Sequence, residues 1–129
     1  MFGNKSLGKK VLIVEDDALL SKALSAAFLK EKCEVAVVDN GLNVVEAVKN
    51  FWPNIILLDL IVPGLDGFAV LKELKTDTKT QKIPVAVISN LGDEGDVKSA
   101  KALGADEYFI KSNTEIEKIV RYVRNELKF

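Results

Sequence analysis

The chain has 129 residues, of which 48% are hydrophobic and 29% charged, the make-up of one globular domain with its own core and not of a disordered or fibrous chain. Its 18 basic and 19 acidic residues leave a net charge of −1, which argues against a strongly basic nucleic-acid surface. It has no histidine, which removes Ser-His, Cys-His and His-ligated zinc chemistry, and its single cysteine, Cys33, leaves no partner for an internal disulfide.

The first residues lack the apolar stretch of a signal peptide, and no apolar run approaches the ~18 residues that span a bilayer. A cytoplasmic protein with no membrane contact is expected. Residues 1–9 read as an N-terminal extension and 10–129 as one domain. Residues 3–10 nearly spell a P-loop, but the motif ends in Lys10 where a Ser or Thr is needed. It also precedes a strand when it should join a strand to a helix.

Five short apolar runs follow in chain order, at 11–14, 35–38, 55–58, 85–88 and 108–110. Several are apolar at every position, the pattern of strands covered on both faces. Between them lie segments of helical period. Leu19, Leu20, Ala23, Leu24, Ala27 and Phe28 form one apolar stripe, and Ile116, Ile119, Val120, Val123 and Leu127 another. Shorter helices are expected near 42–50, 67–76 and 94–103, with Gly41, Gly67 and Gly104 at their ends. Ser112 and Glu115 have the spacing of a capping box for the last helix. Cys33 reads as a small buried hydrophobe and Trp52 as core or rim packing. Strand and helix alternate five times, which predicts an α/β fold, a doubly wound five-stranded parallel sheet.

In such sheets the working site lies beyond the carboxyl ends of the strands. Glu15, Asp16 and Asp17 follow the first strand and Asp59 the third; Ser89 and Asn90 end the fourth and Lys111 the fifth. Carboxylates about 5 Å apart repel by about 3 kcal/mol per pair at an effective dielectric near 20, so the cluster calls for a cation. All-oxygen ligation suits Mg²⁺, with Mn²⁺ as an alternative. Asp59 would then be an ionised nucleophile for a phosphoryl group, with Lys111 and the Ser89 hydroxyl stabilising the transferred charge. Asp16 and Asp17 have a second reading, as helix-capping acids.

These residues resemble those of a known family, the receiver domains of two-component response regulators, over nearly the whole chain. Asp59-Leu60-Ile61-Val62-Pro63-Gly64-Leu65-Asp66-Gly67 is similar to the family's Asp-x-x-Met-Pro-x-x-Asp-Gly. Glu15-Asp16-Asp17, Ser89 and Lys111 fall in the matching order. The resemblance implies the flavodoxin-like strand order 2-1-3-4-5 and makes residues 10–129 the receiver domain. It implies Asp59 as phospho-acceptor, Asp17 as a direct metal ligand and Asp16 as one acting through water. The backbone carbonyl of Ile61 is implied as a further ligand, and Ser89 with Tyr108 as a switch pair. The implied partners are a sensor histidine kinase or histidine phosphotransfer protein, and a downstream protein docking on residues 96–103, 107–110 and 117–127. Homodimer formation on phosphorylation is left open, as is whether the domain stands alone or belongs to a longer protein.

The chain departs from the family pattern at several positions. Ser112 stands where proline usually follows the lysine, so a trans Lys111–Ser112 peptide is expected. Asn90 replaces a very small residue and would crowd the phosphoryl pocket or hydrogen-bond at its edge. Ile61 and Leu91 are apolar where polar side chains help position a hydrolytic water, which implies a long-lived phosphate. Two other classes remain in view: an aspartyl-phosphate phosphatase and an unphosphorylated interaction module. The phosphatase needs a second Asp two residues after the nucleophile, where this chain has Ile61. A signalling receiver that is not a turnover enzyme fits these residues best.

Overall fold

The structure, a computed structural model, describes residues 8–129. Most of the N-terminal extension and of the near-P-loop lies outside these residues. The chain runs β1 (Lys10–Val14), α1 (Ala18–Lys30), β2 (Glu34–Val38), a 3-10 turn (Gly41–Asn43), α2 (Val44–Phe51) and β3 (Ile55–Leu58). A short hairpin follows, β4 (Ile61–Val62) and β5 (Leu65–Asp66), and then α3 (Gly67–Thr76) and β6 (Val85–Ser89). The chain closes with α4 (Glu94–Ala102), β7 (Glu107–Ile110), a second 3-10 turn (Lys111–Asn113) and α5 (Ile116–Leu127). The main sheet is wholly parallel in the order β2-β1-β3-β6-β7. With the hairpin set aside this is the expected 2-1-3-4-5.

Side chains on a strand alternate between faces, and both faces of this sheet are covered. Val11, Ile13, Ile55, Leu57, Ala86, Ile88 and Phe109 pack with Leu24 and Phe28 of α1 and Ile119, Val120 and Val123 of α5. Leu12, Val14, Ile56, Leu58, Val85 and Val87 pack with Val44 and Val48 of α2, Val70, Leu71 and Leu74 of α3 and Ala100 of α4. Cys33 is buried in the first of these clusters.

Two local expectations are corrected. The α1 stripe is narrower than the sequence suggested: Leu19 is 83% exposed and Ala23 is also exposed, because the helix packs through Leu20, Ser21, Leu24, Ala27 and Phe28. The Ser112–Glu115 capping box does not form, since the chain makes a 3-10 turn after β7 and α5 starts later, with Glu115 itself at the N-cap. Of the two readings of Trp52, core or rim, the rim fits: it ends α2 in the left-handed region at φ 51 and is half exposed. The hairpin was not anticipated. Pro63 and Gly64 (φ +88) turn it, and its end delivers Asp66 as the N-cap of α3 through a hydrogen bond from Phe68 N–H. Gly67 is required there because a Cβ would stand 2.3 Å from the Leu60 Cα.

Candidate phosphoryl-acceptor site

A pocket at the carboxyl end of the sheet is lined by Glu15, Asp16, Asp17, Asp59, Ile61, Ser89, Asn90 and Lys111. Its floor is an extension of the sheet. Val14 of β1 pairs with Leu58 of β3, and the next residue of each strand is an acid. Glu15 N–H donates to the Val38 carbonyl at 2.9 Å, and Asp59 N–H donates to the Val14 carbonyl at 3.0 Å. Both acids are thus held at the same level by the backbone ladder, and both are buried, at 2% and 4% exposed.

Lys111, the first residue beyond β7, reaches across to them. Its Nζ lies 2.7 Å from Asp59 Oδ2 and 2.7 Å from Glu15 Oε1. Burial works against the lysine's charge, but the hydrogen bonds and charges of Asp59 and Glu15 outweigh it and raise its pKa. Glu15 is pushed above the usual carboxylate range by burial, with the nearby charge of Asp59 adding to it. The bonds from Lys111 and from Asp17 N–H oppose this only in part.

The third acid of the cluster is Asp16. Glu15, Asp16 and Asp59 each offer a carboxylate oxygen, all within 4.8 Å of one another, with Glu15 and Asp59 buried and Asp16 exposed. One lysine against three acids leaves negative charge uncompensated, which is the donor set and the electrostatic demand of a hard divalent cation. Asp17, expected as a direct ligand, lines the same pocket and also caps a helix. Its Oδ1 accepts from Leu19 N–H at 3.0 Å and Leu20 N–H at 3.3 Å, capping α1. Sequence reasoning named Glu15 but gave the ligand roles to its neighbours. Register brings Glu15 into this cluster, for it stands level with Asp59 when residues are counted from the paired strand ends.

Ser89 is fully buried, and its Oγ accepts from Leu91 N–H at 3.2 Å. Tyr108, on β7, donates its hydroxyl to the Leu91 carbonyl, and burial raises its pKa. Asn90 hydrogen-bonds at the pocket's edge: its Oδ1 accepts from Ser112 N–H at 3.0 Å, so the two most unusual residues of the site bond to each other. No cis peptide occurs among the described residues, so the Lys111–Ser112 bond is trans as expected. Ile61 N–H donates to Asp59 Oδ1 at 3.0 Å, and its side chain lines the pocket at 58% exposed. Leu91 packs instead against the core and does not line the pocket.

Comparison with known proteins places this architecture. The family model of the response regulator receiver domain matches residues 11–124. The chain is 31% identical over 116 residues to the DNA-binding response regulator MtrA of Mycobacterium tuberculosis, covering 90% of this chain and 50% of that protein. It therefore spans about half the length of that curated relative. Two solved structures are each 28% identical to it. The Mn²⁺-bound response regulator Rcp1 superposes with a TM-score of 0.80 over 90% of this chain and 91% of that one. The phosphorylated cyanobacterial phytochrome response regulator RcpA does so with a TM-score of 0.79 over 94% and 92%. No described helix is long and apolar enough to cross a membrane. With a five-stranded parallel sheet in this order and a family match over nearly all of its length, the chain belongs to the receiver domains of two-component response regulators.

Proposed function

We propose that Asp59 accepts a phosphoryl group from the phosphohistidine of a partner histidine kinase or phosphotransfer protein. A carboxylate oxygen of Asp59 forms the bond to phosphorus as the P–N bond breaks, and the electron pair returns to the donor's ring nitrogen, which is reprotonated from water. The observation that carries this reading is the lysine bridge. Lys111 holds a full positive charge 2.7 Å from the Asp59 carboxylate, where the charge of a transferring group is carried. The buried hydroxyl of Ser89 supplies a neutral donor to a phosphoryl oxygen.

The acid cluster fits a resident divalent cation. Glu15, Asp16 and Asp59, with the Ile61 carbonyl, would hold Mg²⁺ or Mn²⁺, in keeping with the Mn²⁺-bound relative. Bound there, the ion supplies positive charge that favours the approach of a phosphoryl group to a carboxylate. Asp17 is left as the cap of α1.

Movement of Ser89 toward a bound phosphoryl group would pull the residue 89–91 loop and with it the hydroxyl of Tyr108, which is bonded to Leu91. The face formed by α4, β7 and α5 would transmit that change to a downstream protein or to a second copy of the chain. Ile61 is apolar and offers no acid or base two residues after Asp59, which supports a persistent phosphate and a signalling role without catalytic turnover. Incubation with acetyl phosphate and Mg²⁺, followed by intact mass, tests the proposal. One added phosphoryl group per chain, absent in Asp59→Asn, is expected; no mass gain in the native protein overturns it.

A further inference from the structure

The residues that follow β6 and β7 are fastened together at a point that phosphoryl acceptance does not by itself require. Ser89 ends β6 and pairs with Ile110 of β7, and Lys111 comes next in the chain. Asn90 then sends its side-chain carbonyl to the amide of Ser112 at 3.0 Å. Ser112 lies in the 3-10 turn Lys111–Asn113, whose early N–H groups have no partner within the turn. Gly92 lies close over Ile110, where a Cβ would meet that side chain at 3.2 Å, so the loop is already seated on β7. The Tyr108 hydroxyl on the Leu91 carbonyl ties the same loop to β7 on the other side of Asn90 in sequence.

We propose that Asn90 is a positioning residue, whose bond to the Ser112 amide sets the spacing between Ser89 Oγ and Lys111 Nζ, the two donors that serve Asp59. This inference rests on the reading of Asp59 as phospho-acceptor. Asn90 is exposed, so water replaces the lost partner when the bond is broken, and little stability is at stake. What the bond controls is geometry. Ser89 ends β6 and Lys111 opens the turn after β7, and without the Asn90–Ser112 link the loop after Ser89 shifts independently of the backbone after Lys111.

Three variants separate this role from simple crowding of the pocket. Asn90→Leu keeps the bulk and removes the acceptor, Asn90→Ala removes both, and Ser112→Pro removes the donor from the other side. Proline at 112 also disfavours the helical backbone of Lys111, so Asn90→Leu is the cleanest of the three bond-breaking changes. The readouts are the rate of phosphorylation across a range of acetyl phosphate concentrations with Mg²⁺, thermal unfolding, and amide exchange at Ser112 by NMR. Each variant is expected to lower the saturating rate about threefold to tenfold, the worth of one hydrogen bond, with the half-saturating concentration unchanged. The Asn90→Leu/Ser112→Pro double variant should be no slower than the slower single one, and Ser112 exchange should quicken in both Asn90 variants while the melting temperature holds. A faster Asn90→Ala beside an unchanged Asn90→Leu shows that Asn90 only crowds the pocket and overturns the proposal. Native rates in all three variants overturn it as well. A native protein that takes no phosphoryl group defeats the reading of Asp59 itself, and the positioning role with it.

Discussion

The floor and the rim of the pocket are built by different means. On the floor, Glu15 and Asp59 are the first residues past paired strands, still held by the sheet's ladder and bridged by one lysine. At the rim, the Ser89 hydroxyl, the Asn90 side-chain carbonyl and the Leu91 carbonyl each make one hydrogen bond, to Leu91 N–H, Ser112 N–H and the Tyr108 hydroxyl. A backbone ladder and a buried ion network have no cheap alternative arrangement. A loop held by a few exchangeable bonds has several. In the proposed function, Asp59 as acceptor belongs to the fixed side and the response to the side that moves at low cost.

The comparison is broken most severely at Lys111. Lys111→Met leaves the buried carboxylates of Glu15 and Asp59 without their shared counter-charge, and a loss of about 3 kcal/mol in unfolding free energy is expected. Denaturant melts measure it, and Mg²⁺ should restore more stability to this variant than to the native chain. A variant as stable as the native protein without Mg²⁺ would show that the floor is not held by charge.

A smaller effect separates Asp16 from Asp17. Asp17→Ala removes the α1 cap and should cost about 1 kcal/mol while the rise in melting temperature on adding Mg²⁺ remains. Asp16→Ala should keep its stability and lose most of that Mg²⁺ response. The reverse pattern restores Asp17 to the ligand set.

The smallest effect concerns the two tyrosines. Burial raises both, Tyr108 in direction and Tyr122 to about 12. The unfolded chain therefore gives up phenolic protons first, and the stability tied to the neutral phenols falls as pH climbs from about 10 toward 12. Ultraviolet titration should find little phenolate in the native protein at pH values where free tyrosine is half ionised. Half-ionised tyrosines there would show that Tyr108 is not seated against the residue 89–91 loop as described.

Much of this was legible in the sequence because strands covered on both faces announce themselves as unbroken apolar runs. Once five such runs are counted, the residues after them locate the pocket, and Asp59, Ser89 and Lys111 meet there as expected. What sequence did not settle depended on offsets of a single residue. Glu15 and Asp17 are two positions apart, and only the Val14–Leu58 pairing decides which stands level with Asp59. Leu19 has the right spacing for the α1 stripe and still faces solvent, because periodicity cannot tell the edge of a buried stripe from its centre. The Asn90–Ser112 bond joins residues 22 apart on neighbouring loops, a contact that no local pattern encodes.

The central claim is that Asp59, and no other acid of the pocket, forms the acyl phosphate. Borohydride reduction of the acetyl-phosphate-treated protein, followed by peptide mapping, tests it most directly, because reduction converts a phosphorylated aspartate to homoserine and leaves a free carboxylate untouched. Homoserine at position 59 alone is the expected result. Homoserine at position 16 or 17, or at none of the three, contradicts it.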